Sequence, residues 1–322
     1  MNANICVKRQ TGRDVENRPE TKKENLMSND KRPEIQGFFD EASNTVSYLV
    51  VDPDSRAAAF VDPVLDYDPK SGKLSTASAD RLLDAAEKAK ARIEWILETH
   101  AHADHLSAAQ YLKAKTGAKI GIGAHINDVQ KIFTPVFNQK GPTDGREFDH
   151  LFKEGESLAI GGLTVEMIGT PGHTPACVSY RIGDAVFVGD TLFMPDYGTA
   201  RADFPGGDAR TLYRSIRKLL ALPPETRLFM CHDYKPEGRD HYVWETTVAD
   251  ERARNIHVHD GVDEDSFVAM REKRDSTLAA PVLLLPSIQV NIRAGHVPPA
   301  EDNGKRYLKI PLNVPAEVEE SL

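Results

Sequence analysis

The chain has 322 residues, enough for one large domain or two small ones with a substantial core. Its formal net charge of −9 argues against general nucleic-acid binding, and no apolar run approaches the ~20 residues of a membrane-spanning helix. The cysteines, Cys6, Cys177 and Cys231, are too sparse and odd in number for a disulfide framework, which points to a reducing, cytoplasmic compartment.

Residues 1–33 are rich in Arg, Lys, Glu, Asp and Asn and read as a disordered lead, with Met27 as an alternative start and Cys6 as a solvated tail residue. Residues 34–322 are expected to form one catalytic domain. Two short β-type runs, 46–51 and 58–61, each end in Asp-Pro and read as hairpin strands. Leu82, Leu83, Ala86 and Ala89 recur at helical spacing over 78–90, with Ser78 as the expected cap. A strand over 93–98 runs into Thr99-His100-Ala101-His102-Ala103-Asp104-His105, and a helix is expected from His105 to about Lys115, ending before Gly117. Residues 118–122 form the next strand.

The second half repeats the theme. A strand over 163–168 leads into Gly169-Thr170-Pro171-Gly172-His173-Thr174-Pro175. Residues 177–182 and 185–188 make a hairpin across Gly183-Asp184, followed by Gly189-Asp190-Thr191. A helix from about Asp208 to Ala221 carries Leu212, Ile216, Leu219 and Leu220 on one face, and a strand over 227–230 ends in Cys231-His232-Asp233-Tyr234. Each cluster of ligand-type residues therefore follows an apolar β run, where strand ends and loops converge on one sheet edge. Two β-rich halves with interspersed helices predict an α/β sandwich of two mixed sheets with helices on the outer faces.

Three imidazoles and a carboxylate within six residues read as a metal site, and imidazole with carboxylate suits zinc, iron or manganese. His173, Asp190 and His232 are further ligand candidates, each at a strand end.

The order H-x-H-x-D-H, then a lone His, a lone Asp and a lone His, resembles the metallo-β-lactamase superfamily over residues 38–311, and implies its αββα sandwich. The local sequences around these residues are similar to the persulfide dioxygenase and glyoxalase II branch. Tyr197-Gly198-Thr199-Ala200-Arg201-Ala202-Asp203-Phe204, the Thr211-Leu212-Tyr213 helix and Cys177 are similar to the persulfide dioxygenases. Residues 285–291 resemble their short C-terminal segment rather than the helical substrate domain of glyoxalase II. The resemblance implies one Fe(II) per chain on His100, His173 and Asp190. His102, Asp104, His105 and His232 are then supporting groups or a second metal position. It implies oxidation of glutathione persulfide by O2, with Arg201 at the substrate and a homodimer as the assembly; Tyr234, close to the last site histidine, is a candidate donor to bound sulfur or dioxygen. Because all seven ligands of a two-metal hydrolase are present, zinc or a dinuclear centre acting on glutathione thioesters stays open. Asn291-Ile292-Arg293, near the C-terminus, is a lesser candidate for returning to the pocket.

Overall fold

The computed structural model describes residues 32–314. The lead therefore lies outside the described residues except for Arg32 and Pro33, as do Cys6 and Met27. The first half runs β1 (Glu34–Asp40), β2 (Thr45–Val51), β3 (Ala57–Val61), β4 (Val64–Asp68), β5 (Lys73–Ser75), α1 (Ala77–Lys88), β6 (Arg92–Leu97), β7 (Leu106–Ser107), α2 (Ala109–Thr116), β8 (Lys119–Gly123), α3 (Ile126–Val136) and β9 (His150–Phe152). The second runs β10 (Ser157–Ile160), β11 (Leu163–Gly169), β12 (Val178–Ile182), β13 (Ala185–Phe187), α4 (Ala209–Leu220), β14 (Arg227–Phe229), β15 (Glu245–Thr247), α5 (Val248–Arg254), α6 (Glu264–Asp275) and α7 (Leu284–Asn291).

Two mixed six-stranded sheets result, ordered β1-β2-β3-β6-β8-β9 and β10-β11-β12-β13-β14-β15. Strand β2 explains how they stack. Its side chains alternate, so Val46, Tyr48 and Val50 enter the layer between the sheets while Leu49 and Val51 face the outer helices. Val165, Met167, Tyr180 and Phe187 complete the central layer from the second sheet. Outside the first sheet, Leu82, Leu112, Val129 and Ile288 of α1, α2, α3 and α7 pack on Phe60, Ile96 and Ile120. Outside the second, Leu212, Ile216 and Leu219 of α4, with Val248 and Phe267, cover Val186, Leu228 and Met230. The predicted αββα sandwich is the observed fold.

Local departures have local causes. The helix expected from His105 begins only at Ala109, because β4 claims the intervening backbone: Val64 pairs with Ser107 and Leu65 with Leu106. Ser78 does not cap α1. Thr76 occupies the N-cap position, and the Ser78 hydroxyl and amide donate to Asp66. In α4, Asp208 is the cap itself, its carboxylate accepting from the Thr211 amide at 2.7 Å. Residues 285–291 lie wholly within α7, which packs on α3 and β7, while α6 packs on α4; both helices belong to the outer layers of the sandwich.

The topology delivers the ligand-bearing segments to one edge. β11 and β13 both pair antiparallel with β12, and β13 pairs parallel with β14, so all three end on the same side. The end of β6 meets them there, since the Val178 amide donates to the Thr99 carbonyl and the Tyr180 hydroxyl to the Glu98 carbonyl.

Candidate metal centre

His100, His102, Asp104 and His105 occupy the loop after β6, His173 the loop after β11, Asp190 the turn after β13 and His232 the segment after β14. Two glycines make this convergence possible. Gly189 sits at φ +54° directly against Thr99, where a Cβ would lie 2.7 Å from the hydroxyl. Gly172, at φ +141°, lets the His173 loop lie on the backbone of Leu212, which a Cβ would meet at 2.3 Å.

The hydrogen bonds behind each imidazole determine which nitrogen faces the site. Nδ1–H of His173 donates to the Arg201 carbonyl at 2.8 Å, leaving Nε2 toward Asp190 at 3.5 Å. The Thr99 hydroxyl donates to Asp62 at 2.9 Å, so its oxygen accepts from Nδ1–H of His100 at 3.0 Å. His102 is turned the other way, with Nε2–H on Asp62 at 3.0 Å. His105 donates from Nδ1 to the Leu106 carbonyl at 3.0 Å. The remaining atoms, Nε2 of His100, Nδ1 of His102, Nε2 of His105 and Oδ1 of Asp190, are buried without a hydrogen-bond partner. Bare buried lone pairs are costly unless a cation takes them up, so these residues fit a metal centre.

Two groups can be distinguished. His100, His173 and Asp190 place donor atoms within 4.8 Å of one another, and so do His102, Asp104 and His105. Asp190 stands between its neighbours: Oδ2 faces His173 and His100, at 3.5 and 3.9 Å, while Oδ1 lies 3.2 Å from Nε2 of His232. His232 in turn lies 3.7 Å from Asp104. A carboxylate so placed can serve one ion or bridge two.

The electrostatics agree with a cation site. Burial and the neighbouring His102 hold the His100 imidazole well below its usual range, and burial brings His105 down to about 4. Burial alone would raise Asp190, yet His232, His100 and His173 hold it well below the carboxylate range. Burial opposes protonation of His102 as well, but Asp62 raises it strongly. A divalent ion competes with protons for these lone pairs, so its binding is pH-dependent.

The centre opens into a cavity of about 800 Å³ whose walls include Tyr67, Phe193, Tyr197, Arg201, Tyr234, Arg274, Leu278, Ala279 and residues 281–283. Both expected substrate residues reach it, though differently. The Arg201 guanidinium is paired with Asp203 and donates to the Ala279 carbonyl at 2.7 Å. Tyr234 stacks on Tyr197 at 4.8 Å and on His232 at 5.6 Å, and burial pushes its hydroxyl above the usual tyrosine range. Cys177 is buried against Thr174, and burial raises its thiol to about 12, the behaviour of an inert packing thiol. Sequence reasoning missed Asp62 and Thr99 as ligand-orienting groups; Asp62 was visible only as a turn residue before Pro63.

The metallo-beta-lactamase superfamily model matches residues 41–232, from the first strands to the last site histidine. The chain belongs to this superfamily. It is 57% identical to a probable metallo-hydrolase of Burkholderia pseudomallei, over 87% of this chain and 99% of that one. Glyoxylase B2 of Dictyostelium discoideum is 50% identical over 89% and 99% of the two chains. Human mitochondrial persulfide dioxygenase ETHE1 is 30% identical over 69% and 74%. The crystal structure of ETHE1 from Myxococcus xanthus superposes with a TM-score of 0.65 at 29% identity, covering 82% of this chain and all of that one. Within the superfamily the chain thus lies with the persulfide dioxygenase and glyoxalase II-like branch, as an enzyme with a metal cofactor.

Proposed function

We propose that the protein is a persulfide dioxygenase that uses one Fe(II), held by His100, His173 and Asp190, to oxidise glutathione persulfide. The observation that carries this reading is the two-imidazole, one-carboxylate group at the floor of a cavity large enough for a peptide-sized thiol. The similarity to ETHE1 over the whole of a solved chain supports it. The reaction balances as persulfide plus O2 plus water giving sulfite, glutathione and two protons. The S–S bond breaks, the terminal sulfur loses four electrons to O2, and the inner sulfur leaves as the thiol. Iron(II), when bound, supplies the redox chemistry and the open positions at which the two reactants meet.

The chain's own residues do the rest. The Arg201 carbonyl and the Thr99–Asp62 pair hold His173 and His100 in the tautomers that present Nε2. Tyr234 offers a phenol that stays protonated and can donate to a sulfur anion. Arg201 lines the cavity wall as the proposed partner of a substrate carboxylate, its guanidinium held in place by Asp203 and the Ala279 carbonyl. The Tyr197–Tyr234 stack and Phe193 form an aromatic wall beside the floor of the cavity.

The second group, His102 with Asp104 and His105, favours a rival: a dinuclear hydrolase of glutathione thioesters. The similarity to Glyoxylase B2 supports that reading. Anaerobic reconstitution followed by metal counting and two assays separates them. One iron per chain and O2 uptake with glutathione persulfide are expected. Two ions per chain with thioester cleavage and no O2 uptake would refute the dioxygenase.

A further inference from the structure

We infer that Asn291, at the end of α7, is the positioning residue that holds the metal-binding loop in its ligating shape. This inference rests on the second donor group of the centre, His102 with Asp104 and His105, and not on the single-iron reaction proposed above. Asn291 is 4% exposed and lies 189 residues beyond His102 in the chain. Its Nδ2 donates to the carbonyls of His102, at 2.8 Å, and His105, at 2.7 Å, and its Oδ1 accepts from the Ser107 amide at 2.8 Å. One planar amide therefore engages three backbone groups of a loop too irregular to satisfy them itself.

The bond to Ser107 has a direct line to His105, a donor of that second group. The Ser107 N–H and the Leu106 carbonyl belong to one peptide plane, and that carbonyl accepts from Nδ1–H of His105. Because the plane is rigid, fixing its N–H fixes the direction of its C=O, and hence the imidazole on it. Nε2 of His105 is the end left bare in the centre. The two Nδ2 bonds set the spacing of the peptides that carry His102 and His105. α7 is itself firmly seated: Ile288, Val290 and Ile292 are in the core, and Gln130 donates to the Ile292 carbonyl at 2.8 Å. An apolar residue of similar size at 291 would fill the space but leave three buried backbone groups unpaired.

The test uses the full chain and its affinity for Co(II), measured by competition with a chromophoric chelator, with the Co(II) absorption spectrum as a report on ligand geometry. Asn291→Asp preserves size and the acceptor for Ser107 but loses both donors. It is expected to weaken Co(II) binding about 10- to 100-fold and to alter the spectrum. Gln289→Ala frees α7 from the Lys309 backbone it grips on its other side and leaves the loop bonds intact, so affinity and spectrum should stay as in the wild type whatever happens to Tm. Wild-type affinity and spectrum in Asn291→Asp would overturn the inference, as would an equal loss in Gln289→Ala. Should Asn291→Asp fail to fold, hydrogen exchange on the wild type decides. Coupling is reciprocal, so Co(II) must slow exchange at the Ser107 amide and in α7. Unchanged exchange on loading overturns the inference.

Discussion

At the residue scale, the centre is defined by what stands behind each ligand. Every histidine of the motif has one nitrogen engaged by a carbonyl, a hydroxyl or a carboxylate, and the other directed at its fellow ligands. Two substitutions probe this division. His173→Ala removes a donor from the His100–Asp190 group and is expected to abolish stoichiometric metal binding, read by elemental analysis after gel filtration. Thr99→Val keeps the shape of the side chain but takes away the acceptor for His100 Nδ1 and a donor to Asp62. A 10- to 100-fold loss of metal affinity is expected there, with the fold retained. Thr99→Val binding metal as tightly as wild type would show that ring orientation is set by packing instead.

At the element scale, helices and their flanks hold the loops that hold the ligands. Asp208 caps α4, and α4 supports the His173 loop through the Gly172 carbonyl, which accepts from the Asp208 amide at 2.8 Å. Asp208→Ala is expected to cost about 1 kcal/mol of stability, read as a lower midpoint in urea with an unchanged slope. α5 works on the cavity wall. Its buried Glu251 accepts from Asn255, whose side chain also donates to the Gly198 carbonyl at 3.0 Å. Burial raises the Glu251 carboxyl to about 8 from an ordinary 4.5, with Asp250 and Asp196 adding to the rise and Arg254 opposing it. The folded state therefore binds a proton that the unfolded state releases between those values. The stability so gained is full below pH 4.5 and is lost as pH rises through about 8. Tm should fall between pH 6 and 9, and Glu251→Gln should flatten that fall. An identical pH slope in the variant would rule out Glu251 as its source.

At the scale of the whole molecule, the metal centre joins the two halves, since its ligands come from β6 of one sheet and β11, β13 and β14 of the other. An ion bound there links both sheets, so chelation is expected to lower the Tm of the entire cooperative transition, by an amount that grows with free metal concentration. Saturation at a thousand times Kd corresponds to about 4 kcal/mol. A calorimetric scan indifferent to chelator would mean that the site forms independently of the sandwich. Much of this architecture was legible in the chain. The short apolar β-type runs 46–51 and 163–168 and the 3.6-residue period of 208–221 announce strands and an amphipathic helix from local composition, and the ligand order H-x-H-x-D-H, His, Asp, His is a property of sequence alone. What was not legible depends on partners distant in the chain. Leu106 and Ser107 have no strand pattern of their own and become β7 only because Val64 and Leu65 lie alongside. Asp62 reads as a turn residue until Thr99 and His102 are folded onto it. Asn291 is only one residue of the short C-terminal segment until α7 lays it against the motif. Fold class and the inventory of ligands could be read along the chain because periodicity and residue chemistry are local. Which nitrogen each histidine presents, and the place of Asp190 between two groups, depend on the folded chain, because a lone pair is aimed by whatever hydrogen-bonds the other side of its ring.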